Sequence, residues 1–538
     1  MSLFNNTQQK QRISSGGSID RSSKINFKFD GKPLTGYRGD TLASALLANN
    51  IKLVARSFKY HRPRGIFSAG VEEPNALVNL RTGSREEPNT RATNIELFEG
   101  LEAKSQNRWP NLFFDFMQIN NLASPLLTAG FYYKTFMGIP GWHFYEHFIR
   151  KAAGMGSTNL AKDPDTYDKK HAFCDVLIIG AGPSGLSAAL TAGRAGARVI
   201  LIESAKSLGG QLAWELDEIN DALPAKWINS VGDELNDLDN VSVLKRTTAF
   251  GYYDSNVVNA IENVSDHLSV PAPFTVRQRL WQIRAEKVLI ATGATERPLV
   301  FANNDRPGVI LASAARRYVN QYAVKPGNRA IVFANNDDGY KTAINLFKKG
   351  IDIQAVVDSR ISVNNFWKIK LEEANIELIS GSAVVNTHGF FALNGVDVAP
   401  ISPDGQNISG QSRFISADLL AISGGWSPNV HLYCHAGGKP QYGPSIAAFV
   451  PGQKAQSSYS IGASNGAFSL ADCFDQGSNN GNEIALEFGF SISNFSKPKT
   501  AEPPVTPIKA LWRIPGPGKK FVDIQDDVTE SDITLAHR

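Results

Sequence analysis

The chain has 538 residues, 42% of them hydrophobic, and its 55 basic and 51 acidic residues leave a formal net charge of +4. This near balance gives no case for a nucleic-acid partner, and three distant cysteines without a CxxC pair support neither a disulfide framework nor a zinc ribbon. We expect roughly two to four domains, a reducing cytoplasmic location, and no membrane segment because no apolar run is long enough.

The N-terminal region predicts a flexible terminus, residues 1–23, and then a small β-grasp domain, residues 24–108. Apolar residues alternate with polar ones from Lys24 to Tyr37 around an Asp-Gly turn, which predicts a β-hairpin. Asp40 or Thr41 is expected to cap the helix that follows.

A resemblance to a known family becomes specific at GDTLASALLANNI, residues 39–51, and RSFKYHRPRGIFSAGVEEPNALV, residues 56–78. Both resemble the N-terminal ferredoxin-like domain of the α subunit of heterotetrameric sarcosine oxidase. Relatives of that domain carry a [2Fe-2S] cluster on cysteines, whereas this chain has no cysteine before Cys174. We therefore predict no iron-sulfur cluster and a structural role for the domain. The positions where ligands would be expected hold Ser68, Glu72 and Asn75.

A basic run within this domain has two interpretations. It could meet a phosphate of a nucleotide or flavin at a subunit contact, but we favour a solvated basic loop over a small core. The run consists of Arg56, Lys59, His61, Arg62 and Arg64.

The connecting segment, residues 109–170, is crowded with aromatic residues, including FYYKTF at 131–136 and GWHFYEHF at 141–148. Core packing is the default expectation, and a wrap over a partner surface is the alternative. His143 and His147 have helical spacing for a metal, but no third ligand is apparent, so no metal site is assigned.

The sequence DVLIIGAGPSGLSAALTAGRAGARVILIE, residues 175–203, predicts a strand, a glycine turn, a helix and a second strand. Gly180 allows the tight bend, Gly182 lets a pyrophosphate approach the backbone, and Gly185 lets the helix pack on the strand. Glu203 is placed to bind ribose hydroxyls and would repel the 2′-phosphate of NADP. A glycine-tolerant turn that binds nothing is the alternative.

The following SAKSLGGQL resembles flavin-dependent disulfide reductases, in which two nucleotide-binding domains follow one another. The resemblance implies an α/β fold with a first Rossmann-like domain, residues 171–308 and 417–490, and a second one, residues 309–416. Ala334 and Asn336 stand where a working second turn has glycine, and the two aspartates after them would repel a pyrophosphate. We predict that the second domain is empty.

The closing strand of the first domain has Gly462-Ala463 where flavin-binding relatives have Gly-Asp. Losing that carboxylate favours NAD over FAD, and the sarcosine oxidase resemblance implies the same. No catalytic residue is assigned. The candidate cofactor-binding residues are Gly180, Ala181, Gly182, Ser184, Gly185, Glu203, Ser204, Gly210, Gln211, Ala249, Thr292, Gly293, Ala463 and Phe468.

Residues 491–538 predict a linker and the start of a truncated C-terminal domain, in which Thr529 and Asp532 cap a helix. In the resembling family this region leads into a folate-binding aminomethyltransferase-like part, which is absent here, so no folate site is expected.

The resemblance implies an α subunit that oxidises sarcosine to glycine together with β, γ and δ subunits, with oxygen as the acceptor. It implies NAD in this chain, FAD and FMN mainly on the β subunit or its interface, and no activity of the chain alone. The partner is expected at the aromatic stretch 109–148 and the basic run 56–64. The alternatives are a subunit of an N-methylglutamate or opine dehydrogenase, a stand-alone FAD/NAD-dependent pyridine nucleotide reductase, and a scaffold whose first site is empty.

Overall fold

The computed structural model describes residues 9–124, 127, 138–152 and 156–538. They form two compact units, one of Met1–Pro164, Arg297–Gly425 and Lys509–Arg538, the other of Asp165–Glu296 and Trp426–Ile508. The domain limits predicted from the sequence are finer, because they separate a β-grasp domain from a nucleotide-binding-like domain inside the first unit. We keep those limits as a proposal.

The described strands are, in chain order, β1 (Asp20–Phe29), β2 (Lys32–Arg38), β3 (Ala55–Arg56), β4 (Pro63–Arg64), β5 (Leu77–Leu80), β6 (Glu87–Arg91), β7 (Leu101–Ser105), β8 (Tyr167–Ile179), β9 (Val199–Ile202), β10 (Val241–Leu244), β11 (Thr247–Tyr253), β12 (Val257–Asn263), β13 (Gln278–Ile290), β14 (Ala294–Glu296), β15 (Val309–Leu311), β16 (Arg329–Ala334), β17 (Asp352–Asp358), β18 (Leu378–Ser380), β19 (Ser382–His388), β20 (Gly395–Pro400), β21 (Arg413–Ile415), β22 (Leu419–Ser423), β23 (Trp426–Pro428), β24 (Lys439–Gly443), β25 (Ala448–Gln453), β26 (Ser458–Ser460), β27 (Phe521–Asp523) and β28 (Val528–Thr529). The described α-helices are α1 (Leu42–Ala48), α2 (Trp142–Ala152), α3 (Pro183–Ala195), α4 (Pro224–Asp237), α5 (Ala312–Gln321), α6 (Asp338–Lys348), α7 (Asn365–Glu373), α8 (His431–His435), α9 (Leu470–Glu487) and α10 (Glu530–His537). Among the described helices, none has the length and apolar character needed to cross a membrane.

The first unit begins with a five-stranded sheet in the order β2-β1-β7-β5-β6. The predicted hairpin is confirmed, because β1 and β2 pair in antiparallel fashion, with Ile25 opposite Gly36. The predicted helix is also confirmed: α1 follows Thr41, whose side chain accepts from the Ser44 amide. Every residue of α1 is buried, so the helix forms the core under this sheet.

The same unit contains a parallel sheet in the order β15-β22-β16-β17-β18 and a three-stranded sheet β19-β20-β21. In the second domain predicted at residues 309–416, the turn at Ala334 and Asn336 joins β16 to α6, and β17 follows. The capping box at Thr529 and Asp532 is confirmed at the start of α10.

The second unit is built on a sheet in the order β10-β9-β8-β13-β12-β11, with β26 also pairing with β13. Strands β10, β9, β8 and β13 are parallel to one another, and β12 pairs with β13 in antiparallel fashion. Residues Val176–Ile179 are buried as a continuous apolar run, which is the pattern of a parallel strand covered on both faces.

The basic run is not a solvated loop, so the favoured interpretation is wrong. Arg56 is only 3% exposed and donates to the Leu112 carbonyl oxygen. His61 contacts the Asp115 carboxylate at 2.7 Å. Acidic residues distant in sequence supply the counter-charges, and a buried charge needs such partners to offset desolvation. The run is therefore internal rather than a partner surface.

The aromatic segment does not follow the core-packing expectation where it is described. Trp109, Phe113 and Phe114 are 62%, 59% and 59% exposed. The FYYKTF stretch lies outside the described residues. His143 lies 3.7 Å from Glu146 and is almost fully exposed, and no group of three or more metal-ligand side chains occurs among the described residues.

Candidate functional site

The candidate site lies where β8 ends and α3 begins. Gly180 has a φ of +105°, and a Cβ at this position would lie 2.3 Å from the Ala291 carbonyl oxygen. A Cβ on Gly185 would lie 1.9 Å from the carbonyl oxygen of Gly180. Both positions therefore require glycine, as predicted: the first for the bend and the second for close packing of α3 on the turn.

Gly182 differs from these two glycines because a Cβ there would meet no atom within 4 Å. It is the N-cap residue of α3 and supplies no side-chain hydrogen bond to the helix. The first amides of a helix have no intrahelical partner, and the positive end of the helix dipole lies beside them. This open space at the start of α3 suits a bound anion such as a diphosphate.

Glu203 directly follows β9, and its carboxylate connects the end of this strand to the glycine turn through a hydrogen bond. Its Oε2 accepts from the Ala181 amide at 2.8 Å, and its Oε1 accepts from the Ala205 amide at 2.8 Å and the Ser204 hydroxyl at 3.2 Å. A carboxylate offers roughly four acceptor positions, so this buried group still has capacity for a ribose hydroxyl. Ser204 itself is exposed beside it.

A second loop lies against the turn. The Gly209 amide donates to the Ala181 carbonyl oxygen at 2.8 Å. A Cβ on Gly210, where φ is +55°, would lie 3.1 Å from the Gly182 Cα. Gln211 is exposed and donates to the Ala294 carbonyl oxygen at 3.4 Å. The structure thus brings the predicted Gly210 next to Gly182.

The turn at Thr292 and Gly293 is held by Asn429, which the sequence analysis did not single out. The Asn429 amide nitrogen of the backbone donates to the Gly293 oxygen at 3.0 Å, and Nδ2 donates to the Thr292 oxygen at 3.0 Å. Its Oδ1 accepts from the Thr295 hydroxyl at 2.8 Å. The sequence placed Asn429 in the part of the first Rossmann-like domain predicted at residues 417–490, but nothing in the pattern indicates these contacts.

The closing segment meets the first turn of α3. A Cβ on Gly462 would lie 2.1 Å from the Ser184 Oγ, so the 3₁₀ turn Gly462–Asn465, which contains Ala463, packs directly on that residue. The Gly462 amide donates to Gln476 Oε1 at 2.9 Å. Gln476, on α9, is a second supporting residue that the sequence analysis missed.

The remaining predicted residues lie at the margins. Ala249 is half-buried on β11, which starts beside Glu203 because the Thr247 amide donates to the Glu203 carbonyl oxygen at 2.9 Å. Phe468 is 42% exposed in the segment before α9. Cys473 is buried behind Gly462, and this burial raises the pKa of its thiol. A thiol held protonated in this way is a poor nucleophile.

The loop that contains Ser68, Glu72 and Asn75, the positions where cluster ligands would be expected, is organised around Glu73. Its Oε2 accepts from the amides of Phe67 and Ser68, and its Oε1 from those of Asn75 and Ala76, at 2.6 to 3.0 Å. Glu73 is fully buried, and burial raises its pKa although the four amides act in the opposite direction.

Two family models match parts of the chain. Residues 22–108 match a 2Fe-2S iron-sulfur cluster binding domain, and residues 175–243 match an FAD dependent oxidoreductase.

Named relatives cover nearly the whole chain. The chain is 47% identical over 531 residues to sarcosine oxidase subunit alpha of Rhizobium meliloti (strain 1021), covering 98% of this chain and 52% of the relative. It is 35% identical to sarcosine oxidase subunit alpha of Corynebacterium sp. (strain P-1), covering 96% and 50% respectively. The chain spans about half the length of these curated relatives.

Among solved structures, L-proline dehydrogenase from P. horikoshii is similar with a TM-score of 0.60 and 20% sequence identity, covering 90% of this chain and 77% of that chain. This likeness shows a shared fold.

These matches correct the cofactor prediction, which assigned NAD to this chain, flavins mainly to a partner, and no cluster. The match to a 2Fe-2S binding domain contradicts the last part and points to a cluster, while residues 175–243 match an FAD-dependent domain. The usual cysteine ligands of such a cluster are nevertheless not available from residues 22–108, which contain no cysteine. Because the residues present do not supply that ligand set, no chemical step is assigned to a cluster.

Proposed function

We propose that this chain is the dinucleotide-binding portion of a sarcosine oxidase α subunit, acting in a heterotetrameric flavoenzyme that oxidises sarcosine to glycine with oxygen as the acceptor. Its similarity to two proteins named sarcosine oxidase subunit alpha, at 47% and 35% identity over almost the whole chain, supports this proposal. The partners would be the β, γ and δ subunits.

The ligand of this chain would be an adenine dinucleotide held by its adenosine diphosphate half. The observation that carries this proposal is the hydrogen bond from the Ala181 amide to Glu203, with open space above Gly182. The start of α3 would face the diphosphate and Glu203 the ribose. NAD and FAD share this half, so the geometry serves either of them.

The residues of this chain would bind and orient the dinucleotide and would not take part in the chemical step. Glu203 accepts hydrogen bonds and disfavours a 2′-phosphate by charge repulsion, while Asn429 fixes the turn at Thr292. In the assembled enzyme a flavin would supply the electron acceptor for amine oxidation. The exposed aromatic residues Trp109, Phe113 and Phe114 offer the kind of side chains that dominate subunit contacts.

The proposed identity of the ligand is tested by denaturing the purified chain and measuring the released nucleotides by chromatography. We expect about one equivalent of an adenine dinucleotide per chain, with NAD and FAD separated by retention time and absorbance. Gly182→Val should remove it. Release of no dinucleotide from the unsubstituted chain, under conditions that keep it folded, would contradict the proposal.

The activity is tested by measuring sarcosine-dependent peroxide formation by the chain alone and after adding the other subunits. We expect peroxide only from the assembled enzyme, because this chain presents no catalytic acid, base or nucleophile among its candidate residues. Peroxide formation by the chain alone would indicate a stand-alone oxidase instead.

A further inference from the structure

The strand order of the parallel sheet in the first unit predicts a crevice of the type in which α/β proteins bind ligands. β22 is inserted between β15 and β16, and β17 and β18 continue on the other side of β16. In open parallel sheets, ligands bind outside the carboxyl ends of the strands where the strand order changes direction. Here that point lies between the ends of β16 and β22, which are followed by Asn335 and Gly424.

Residues 509–514 of the same chain occupy this position. Asn335 Nδ2 donates to the carbonyl oxygens of Lys509 at 2.9 Å and Leu511 at 3.3 Å, and the Lys509 amide donates to the Asn335 carbonyl oxygen at 3.0 Å. On the other strand end, Trp512 Nε1 donates to the Gly424 carbonyl oxygen at 2.8 Å. The segment therefore contacts both strands that border the crevice.

Further contacts hold the segment along its length. Lys509 Nζ donates to the Ser359 carbonyl oxygen at 3.0 Å, just beyond β17. The Val300 amide donates to the Trp512 carbonyl oxygen at 2.7 Å, and the Ile514 amide donates to the Val300 carbonyl oxygen at 2.8 Å. The Leu511 and Ile514 side chains are buried. These contacts resemble the binding of an extended peptide through its main chain.

The position that would hold a ribose in this sheet is filled by an internal ion-pair network. Arg360 Nη2 lies 2.8 Å from both Asp337 Oδ1 and Asp358 Oδ2, and the Tyr340 hydroxyl donates to Asp358. Asp358 ends β17, much as Glu203 follows β9 in the second unit. Unlike Glu203, this acid is neutralised by a guanidinium of its own chain.

We propose that the crevice of this second nucleotide-binding-like domain is a peptide-docking site whose occupant is the chain's own segment 509–514. The crevice binds that segment through Asn335, Gly424 and Val300 and takes no dinucleotide. Docking of the segment anchors the elements that follow it, β27, β28 and α10, within the first unit.

Hydrogen-deuterium exchange of the full chain tests this inference, comparing the unsubstituted protein with Asn335→Ala. Because Asn335 donates to two carbonyl oxygens of the segment, its loss should speed exchange in residues 509–514 at least about fivefold, while residues 180–211 remain unchanged. The matched control is Asn328→Ala at the opposite end of β16, where the side chain is exposed, and it should leave segment 509–514 unaffected.

The second arm adds saturating NAD, NADH or FAD. We expect no new protection in residues 335–340 and no release of 509–514, whatever happens at residues 180–211. Protection of 335–340 with faster exchange in 509–514 would show that a dinucleotide displaces the segment and would overturn the inference. Unchanged exchange of 509–514 in Asn335→Ala would also overturn it. Neither result depends on whether the first site binds its proposed ligand.

Discussion

The Ala181 amide donates to Glu203 Oε2 over 2.8 Å, so the glycine turn and the end of β9 are joined by one hydrogen bond. The residue predicted to bind a ribose therefore also supports the turn that is predicted to face the diphosphate. In the proposed site, this carboxylate would couple the binding of the ribose to that of the diphosphate.

Glu203→Ala should weaken dinucleotide binding more than Glu203→Gln does. Alanine removes all acceptors, whereas glutamine keeps one uncharged oxygen, and hydrogen bonds to charged groups contribute about 1.5–3 kcal/mol. We expect a loss of affinity of roughly ten- to a hundredfold for alanine, measured by isothermal calorimetry. Glu234→Gln, which breaks an exposed ion pair with Arg194, is the control and should leave affinity unchanged. Equal affinities for all three variants would contradict the assignment.

Gly182→Val should mainly abolish dinucleotide binding, whereas Gly180→Ala should mainly lower the stability of the fold. A side chain at Gly182 enters open space in an extended backbone conformation, so binding should be lost with little change in melting temperature. A Cβ at Gly180 meets the Ala291 carbonyl oxygen at a positive φ, and strain of this type costs on the order of 1–3 kcal/mol. Thermal unfolding with and without dinucleotide separates the two effects. Retained binding in Gly182→Val would argue against a diphosphate at this turn.

Asn429→Ala should loosen the turn at Thr292 and Gly293, although it removes no side chain that is predicted to contact the ligand. The loss of its side-chain hydrogen bonds, each contributing about 0.5–1.5 kcal/mol, should lower dinucleotide affinity several-fold. Asn429→Asp keeps the acceptor for Thr295 but places a carboxylate oxygen against the Thr292 carbonyl oxygen, so the two acceptors should repel each other and the variant should bind no better than alanine. Calorimetry gives the three affinities, and an aspartate variant that binds as tightly as the unsubstituted chain would contradict this account.

Because of Asp305, we expect the free energy of unfolding of the first unit to decrease as the pH falls into the acid range. Burial alone would raise its pKa, but the guanidinium groups of Arg62 and Arg64 hold the pKa well below the ordinary value of 3.8. A carboxylate with a lowered folded-state pKa stabilises the fold above its unfolded-state pKa, and that contribution is lost as the pH falls toward the folded-state value. The urea midpoint should therefore drop below about pH 4.

Asp305→Asn should lower stability at neutral pH, by about 3–5 kcal/mol for a broken buried pair, and should flatten the acid dependence. Glu102→Gln is the control, because Glu102 and Lys28 form an exposed pair whose attraction is screened by solvent and salt. A variant with the same pH profile as the unsubstituted chain would show that Asp305 is not the group responsible.

The sequence predicted contacts made by residues close together in the chain and missed those made by distant residues. Gly180 and Gly185 are five positions apart, and their roles follow from spacing in a strand, turn and helix. Asn429 lies 137 residues from Thr292, and no local pattern indicates such a contact. The basic run was misinterpreted for the same reason, because Asp305 lies 241 residues from Arg64. The prediction that no iron-sulfur cluster binds relied on the missing cysteines and is contradicted by the family match over residues 22–108.

Arg64 is buried between two carboxylates, Asp305 and Asp527, which lie far from it and from each other in sequence. During synthesis the guanidinium emerges first, and its second counter-charge emerges 463 residues later. A buried cation that lacks one of its partners is strongly destabilising. The domain that contains Arg64 therefore completes its internal charge balance only after Asp527 has been made.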